Sequence, residues 1–334
     1  MHALIPGLMV AGLVSVTAIA IETGERAALG QPIIEALVAA ILLGMVVRNF
    51  VAVPVKVDRG AAFAAKQLLE VAVLLLGATI DVRQVLTAGP LLLLAIAVCV
   101  VGSIAVSYVL GRVIGLHEKL ALLVAVGNAI CGNSAIAAVA PVIRADKKDV
   151  ASSIALTAVV GVVVVLTLPL LVPLAHLTFY QYGVLTGMTV YAVPQVIAAS
   201  FPVSQFSGEV ATLVKLVRVM FLGPVVLFFG IAMRNTGKGG GHAEKSPALV
   251  PWFIAGFLLL AAIRFTGVLP LALVLGVKEF SRWLTILAMA GLGLGVEFAA
   301  IRSTGPRVIV AVCSSLIFLI ALSLGLIEGL HIAG

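Results

Sequence analysis

Lys215 and Arg218 are two basic residues inside an apolar run, Val210 to Met233, that is long enough to cross a bilayer. A cation in the hydrocarbon region costs roughly 2.5–3.5 kcal/mol on insertion scales, so it needs a partner or a water-filled cavity. Because the two residues are three apart, a helix places them on one face. Two basic groups directed together into a membrane protein predict an anion site. The alternative is that a carboxylate such as Glu209 neutralises them and that they only fix the helix register.

Two polar interruptions lie in apolar segments upstream of the basic pair. The first, Gly127-Asn-Ala-Ile-Cys-Gly-Asn-Ser134, contains residues that weaken a plain helix. A helix that restarts near Asn133 or Ser134 would offer an N-cap side chain and free N–H groups to an anion. The alternative is close helix packing through small residues.

The second interruption contains Thr189, Tyr191, Pro194 and Gln195. Pro194 removes a backbone donor, and Gln195 supplies donors and acceptors at the break. The alternative is a structural proline kink with a satisfied Gln195. Together the two interruptions and the basic pair predict a substrate site formed by Asn128, Asn133, Ser134, Tyr191, Gln195, Lys215 and Arg218.

Asp81 and Glu297 follow glycines near the ends of apolar segments. They are candidates for binding a coupling proton or Na⁺, and equally for interfacial carboxylates paired to Arg83 or Arg302. Scattered histidines and three cysteines without metal spacing predict no metal site, and we expect no cofactor. No HExxH, GxSxG or P-loop pattern occurs, so we do not expect an enzyme.

Composition sets the class of protein that must position these residues. Mean hydropathy is +1.26, and only 10% of residues are charged, against about 25% in soluble proteins. We therefore predict a single all-α polytopic membrane domain over residues 1–334, with about nine to eleven transmembrane segments. The net charge of +7 does not indicate nucleic-acid binding, because most Lys and Arg lie in short connections where they act as topological anchors.

An internal repeat organises the chain. Six matches connect its two copies: Arg48 with Arg264, Pro54 with Pro270, Lys66 with Arg282, Gly77 with Gly293, Asp81 with Glu297, and Gly89-Pro90 with Gly305-Pro306. Every pair has the same spacing along the chain, with no gap between them. One isolated match would mean nothing, but matches in register that preserve charge and glycine indicate a duplication.

A weaker echo joins segments 120–175 and 184–234 at a second, shorter spacing, which matches Asp149-Val150-Ala151 with Glu209-Val210-Ala211 and Ala138 with Ala198. Together the two sets of matches predict repeat units of approximately 33–175 and 184–330. The Gly-rich stretch 235–247 is predicted to be a flexible linker.

Basic connections predict the topology. Connections 48–66, 112–119, 144–149 and 234–247 all carry an excess of Lys and Arg. They face the cytoplasm together if segments 120–143 and 184–203 enter and leave on one side as re-entrant or broken helices. About nine full spans then remain, and the repeat copies run in opposite senses. This is the inverted-repeat transporter fold.

The run Gly127 to Pro141, GNAICGNSAIAAVAP, resembles the signature of the YeiH-type sulfate exporter family of bacterial inner-membrane proteins. Three further stretches are similar to that family: LLGMVVRN at 42–49, YAVPQV at 191–196, and TLVKLVR at 212–218 followed by Gly223-Pro224. The resemblance covers nearly the whole chain. It implies a multi-pass inner-membrane transporter, related to the bile-acid and arsenite carriers, that exports sulfate, sulfite or a small sulfonate.

We therefore expect a secondary transporter whose partners are a small anion and the lipid bilayer. The anion would lie between the two interruptions, hydrogen-bonded to their polar side chains, with Lys215 and Arg218 balancing its charge. One rival is a Na⁺- or H⁺-coupled symporter of an organic anion that uses Asp81 or Glu297, and another is an anion channel or membrane sensor. The sequence leaves undecided whether the protein forms a homodimer, because GxxxG-like spacings are too frequent here to predict a dimer face.

Overall fold

The computed structural model describes residues 4–29, 35–51, 53–79, 89–235, 252–297 and 305–330, and every regular element in them is helical. The α-helices are α1 (Ile5–Leu29), α2 (Ala36–Phe50), α3 (Lys56–Phe63), α4 (Leu69–Leu76), α5 (Gly89–Val113), α6 (Glu118–Ala129), α7 (Asn133–Val139), α8 (Lys147–Thr167), α9 (Leu171–Leu174), α10 (Phe179–Thr189), α11 (Val193–Ser200), α12 (Gln205–Met220), α13 (Leu222–Asn235), α14 (Trp252–Phe265), α15 (Leu271–Leu294) and α16 (Pro306–Gly329). A π-helical turn, Ala64–Leu68, joins α3 to α4, and a 3₁₀ turn, Leu168–Leu170, joins α8 to α9.

Five of the described helical segments are long and apolar enough to cross a membrane: Ile5–Ala28, Pro90–Val113, Lys148–Leu174, Gln205–Ala232 and Pro306–Gly329. Large apolar side chains also remain on the surface, among them Met9, Leu94 and Ile317. Lipid tails solvate such faces, and helices satisfy their own backbone hydrogen bonds there. The protein is an all-α polytopic membrane protein, as its composition predicts.

The helices form two compact units, each assembled from separated stretches of chain. Unit 1 comprises Met1–Gln84 and Pro251–Phe298, and unit 2 comprises Val85–Val250 and Ala299–Gly334. The predicted repeat copies, 33–175 and 184–330, are not these units, because each copy contributes helices to both. The predicted linker 235–247 lies outside the described residues after Asn235.

Unit 1 packs through glycines that the repeat places in equivalent positions. A Cβ atom added to Gly77 would overlap the carbonyl oxygen of Phe257, and one added to Gly293 would overlap the carbonyl oxygen of Ile41. The spacing from Gly77 to Gly293 along the chain is also the spacing from Ile41 to Phe257. The two close approaches therefore correspond to one another, so the repeat seen in the sequence extends to the packing of unit 1.

The second pair of repeat mates, α5 and α16, packs in opposite directions within unit 2. Cys99 Sγ lies 3.5 Å from Ser323 Oγ near one end of the contact. At the other end, Gly115 lies against Arg307, since a Cβ there would be 3.7 Å from the arginine Nη1. Residue numbers thus rise along α5 while they fall along α16. The two helices are therefore antiparallel, as expected if the two repeat copies have opposite orientations. The orientation of each copy in the membrane stays a prediction.

Unit 2 contains two helical hairpins, α6–α7 and α10–α11, whose second helices begin at Asn133 and Val193, two positions that the weaker echo pairs. Both ends of each hairpin lie together. Lys119 Nζ donates to the carbonyl of Arg144 at 2.7 Å, and Ser207 Oγ donates to the carbonyl of Phe179 at 2.7 Å. The chain therefore enters and leaves each hairpin at the same end. Re-entry into the membrane stays a prediction that this geometry favours.

Ion pairs in unit 1 involve Glu297, one of the two carboxylates predicted to bind a coupling ion. Glu297 is exposed and pairs with Arg48, which also pairs with Asp58 at 2.6 Å. Asn49 Nδ2 adds a 2.8 Å bond to the carbonyl of Val296, so these contacts tie α2 to the end of α15. The partner of Glu297 is thus Arg48, which acts as a tether between helices. Asp81, Arg83 and Arg302 lie outside the described residues.

Candidate functional site

Close packing of α12 on α10 brings the basic pair to the hairpin tips. Gly183 and Gly187 face α12, where an added Cβ would lie 2.8 Å from the carbonyl oxygen of Ser207 and 2.7 Å from that of Ala211, respectively. Only glycine allows the two backbones to approach so closely. As a result, Lys215 and Arg218, further along α12, reach the end of α10, and both are 0% exposed.

Lys215 lies between the ends of the first helices of both hairpins. Its Nζ donates to the carbonyl of Ile130 at 2.5 Å and to that of Val190 at 2.8 Å. These two residues directly follow α6 and α10. Carbonyls at a helix C-terminus lack intrahelical partners and carry partial negative charge, so an ammonium there is favourable.

Arg218 caps the same two helix ends. Its Nε donates to the carbonyl of Ala129 at 2.6 Å, and its Nη2 donates to that of Asn128 at 2.5 Å. Its Nη1 makes longer contacts to Val190 and Gly187, at 3.4 and 3.5 Å. The planar guanidinium therefore joins the two hairpins through backbone oxygens alone.

Neither cation forms an ion pair with a carboxylate among the residues that the structure describes. Glu209, the carboxylate that the sequence offers as a neutralising partner, accepts a hydrogen bond from Gln205 at 2.8 Å instead. In the described part of the chain, the hydrogen bonds of these two cations thus go to backbone oxygens, and no carboxylate neutralises their charges.

The tips of the hairpins meet beside the basic pair. Gly132 has a φ of 66°, in a region where a side chain is strained. A Cβ added to it would also lie 3.2 Å from the Cβ of Tyr191 in the other tip. Glycine is therefore required at position 132 by its conformation and favoured by this contact.

Three buried polar atoms near the tips have no hydrogen-bond partner in the described part of the chain: Asn128 Oδ1, Tyr191 OH and Ser315 Oγ. The Asn128 amide nitrogen makes a long bond, 3.4 Å, to the carbonyl of Val312 on α16, one turn before Ser315. Tyr191 is 1% exposed, so its hydroxyl is shielded from solvent. Buried polar groups are normally paired, so unpaired ones mark a place for a ligand or water.

Gln195 stabilises the second tip through hydrogen bonds to backbone groups. Its Oε1 accepts from the backbone N–H of Ala192 at 3.2 Å, and its Nε2 lies 3.4 Å from the carbonyl of Ala158. Gly161 on α8 makes room for it, because a Cβ there would lie 2.5 Å from Gln195 Cδ. Gln195 is thus a capping residue of α11 in this state.

Asn133 and Ser134 begin α7 but do not join the cluster around the cations. Asn133 is half-buried, and its Oδ1 accepts from the hydroxyl of Thr157 at 2.8 Å. Ser134 is exposed. The structure therefore brings together four of the seven predicted site residues, namely Asn128, Tyr191, Lys215 and Arg218, while substrate contacts by the other three stay predictions.

Sequence reasoning missed Ser315, Gly161 and the glycines of α10. The Gly183-x-x-x-Gly187 spacing is a signal that could have indicated the close approach of α12. Ser315 has no such signal, because it is one of several small polar residues in an apolar helix.

Comparison with known proteins agrees with the predicted resemblance. Residues 6–312 match the model of a family described as conserved hypothetical protein 698. The chain belongs to this family. Its curated relatives are named UPF0324 membrane proteins, the family known as YeiH-like, which confirms the resemblance drawn from the signature at the first interruption.

Relatives of this family cover almost the entire chain. A UPF0324 membrane protein of Brucella melitensis is 49% identical over 333 residues, covering 99% of this chain and 92% of the relative. One from Agrobacterium fabrum is 46% identical and covers 97% of this chain and 92% of the relative. One from Bacillus cereus is 37% identical, with 82% and 81% covered. No solved structure matches. The protein is therefore a multi-pass membrane protein of this bacterial family, whose names specify no substrate.

Proposed function

We propose that the protein is a secondary transporter of a small oxyanion, namely sulfate, sulfite or a small sulfonate, bound where the two hairpin tips meet. The observation that most strongly supports this proposal is the positive charge of two buried side chains. Lys215 and Arg218 are fully buried without a carboxylate partner among the described residues. The helix ends that they cap supply only about half a negative charge each. An anion at the tips balances the remainder.

Hydrogen-bond donors remain for such an anion. Lysine has three N–H donors and arginine five, and the carbonyl contacts use two from Lys215 and at most four from Arg218. Within the described segments, the hydroxyls of Tyr191 and Ser315 have no partner either. A tetrahedral oxyanion accepts several such bonds at once, and bonds to a charged group are the strongest kind.

Transport by alternating access exposes this site first to one side of the membrane and then to the other. Export is the direction that the family resemblance implies. Polar hairpin tips suit the role, because irregular backbone is tolerated at membrane depth only inside the protein or along a cavity. The partners in this proposal are the anion and the bilayer.

Counterflow in proteoliposomes tests the proposal. Radiolabelled sulfate would be exchanged against unlabelled sulfate, sulfite, taurine, citrate and chloride. We expect saturable exchange of one oxyanion class, lost in Lys215→Ala and Arg218→Ala. Because both cations also hold the hairpins, each variant needs a melting curve that shows it to be folded. Thr212→Ala is the control, since the hydroxyl of this buried threonine on α12 donates within its own helix, to the carbonyl of Gly208 at 2.7 Å.

The same assay separates the rivals. Unchanged exchange in folded alanine variants of both cations would refute this site. A strict Na⁺ or pH-gradient requirement that disappears when Asp81 or Glu297 is neutralised would select the cation-coupled symporter. Flux without counterflow would select a channel, because exchange requires a carrier cycle.

A further inference from the structure

We propose that the ammonium of Lys215 occupies an alkali-cation site formed by the backbone carbonyls of the two hairpins. Its Nζ lies 2.5 Å from the carbonyl oxygen of Ile130 and 2.8 Å from that of Val190. These oxygens terminate two helices from different parts of the chain, one from each hairpin. Lys215 itself comes from a third helix.

The oxygen set is one that a hard cation recognises. Backbone carbonyls and helix C-terminal ends are the groups that coordinate Na⁺ in discontinuous-helix transporters. Here they converge from α6 and α10 on a single position, and the partial negative charges of the two helix ends add there. Any cation at that position, whether sodium or ammonium, lowers the repulsion between the two helix ends.

A tethered cation differs from a bound one in that it never leaves. Lys215 is 0% exposed, and α12 holds it in place through the close approach to Gly183 and Gly187. Arg218 occupies the adjacent carbonyls of Asn128 and Ala129 in the same way. The tips are therefore joined permanently and need no metal ion. It follows, resting on the proposed function, that anion exchange needs no sodium gradient.

Thermal unfolding in different salts tests the inference without any transported anion. All three cysteines are free and belong to unit 2, and Cys99 and Cys131 are buried. A thiol-reactive fluorophore therefore reports the unfolding of this unit. The full chain in detergent would be melted in NaCl, LiCl, KCl and choline chloride at equal ionic strength. We expect the wild-type melting temperature to be the same in all four salts.

Lys215→Ala should empty the site and make stability depend on the cation. We expect its melting temperature to be lower than that of the wild type in choline. In NaCl or LiCl it should recover by roughly 2–5 °C, the shift for a ligand at about ten times its dissociation constant. Lys215→Arg keeps a charge at the site and Lys215→Met fills its volume, so neither should respond. Thr212→Ala, one turn earlier on α12, is the matched control and should not respond either.

Two results would overturn the inference. One is a sodium-specific stabilisation of the wild-type protein equal to that of Lys215→Ala, since the site would then not be occupied by Lys215. The other is a Lys215→Ala protein that melts identically in all four salts. If that variant does not fold, Lys215→Asn takes its place, because asparagine is small and adds an oxygen ligand. Failure here leaves anion exchange untouched, and failure of counterflow leaves this inference untouched.

Discussion

At the scale of single residues, the buried cations are bound by backbone rather than by acidic side chains. A buried ion pair requires both charges to lose water, and that cost can exceed their attraction. Helix C-terminal carbonyls are already short of partners inside the protein, so Lys215 and Arg218 satisfy them without the further cost of removing water from a carboxylate. The arrangement also leaves net positive charge, which a carboxylate would have cancelled. Structural and substrate-binding roles are therefore compatible in the same two side chains.

Tyr182 and Tyr191, two of the three buried tyrosines of the second hairpin, provide a matched pair. Tyr182 OH donates to the carbonyl of Ala199 at 2.7 Å, while Tyr191 OH has no partner among the described residues. We expect Tyr182→Phe to lower the free energy of unfolding by about 1–2 kcal/mol, because a buried carbonyl loses its bond. Tyr191→Phe should change it by less than about 0.5 kcal/mol.

Anion exchange should show the opposite order. If the Tyr191 hydroxyl binds the substrate, Tyr191→Phe raises the half-saturation concentration of counterflow about tenfold, equivalent to about 1.4 kcal/mol. Tyr182→Phe should leave that concentration unchanged. A Tyr191→Phe protein that exchanges normally would remove this hydroxyl from the site.

Arg218→Lys tests whether the shape of the guanidinium matters beyond its charge. A lysine cannot reach the carbonyls of Ala129 and Asn128 with the fork that arginine presents. We expect a loss of about 1–3 kcal/mol in the free energy of unfolding, with exchange retained because the charge remains. Arg112→Lys is the control. Arg112 is exposed and donates to the carbonyl of Leu116, so its change should stay within about 0.5 kcal/mol. Equal melting curves for the two variants would contradict the proposed clamp.

At the scale of helices, the positions of the two interruptions could be predicted from the sequence, but the hydrogen-bond partners of their polar side chains could not. The first tip, residues 130–132, falls inside the predicted run 127–134. The second interruption lies between Thr189 and Val193, and Pro194 follows it as the second residue of α11, where the missing N–H has no intrahelical partner to lose. The structure engages the side-chain oxygens of both Asn133 and Gln195, which accept from the hydroxyl of Thr157 and from the N–H of Ala192, respectively. A tertiary contact such as that between Asn133 and Thr157 leaves no periodic trace in a single sequence.

Gly161 shows how a helix supports the site from behind. We expect Gly161→Ala to lower the free energy of unfolding by about 1–3 kcal/mol, because its Cβ would clash with Gln195. The melting temperature measures this. Gly230→Ala on α13 is the control, since nothing lies within 4 Å of the added atom. It should be neutral or stabilising by up to about 1 kcal/mol through its helix propensity. Equal behaviour of the two variants would show that α8 does not hold Gln195 closely.

At the scale of the whole molecule, duplication was predictable and its spatial outcome was not. The repeat relates Gly77 to Gly293 in the sequence. In unit 1, Gly77 lies against Phe257 and Gly293 lies against Ile41, and the repeat relates these two contact residues to each other as well. Each unit contains helices from both copies, because an apolar helix face must be buried against another element and the sequence does not specify which one.

The hairpins and the opposed copies together make a topological prediction. His117 and Asp146 flank the first hairpin, and His176 and Gln205 flank the second. If each hairpin enters and leaves on one side, the first two positions share the cytoplasm and the last two share the opposite side, because α8 crosses between them. Single cysteines at these four exposed positions, in a chain lacking Cys99, Cys131 and Cys313, would be labelled with an impermeant maleimide on oriented membranes. Labelling of positions 117 and 146 from opposite sides would mean that the first hairpin crosses the bilayer. That result would contradict two predictions: that the repeat copies have opposite orientations, and that the two polar tips meet at membrane depth.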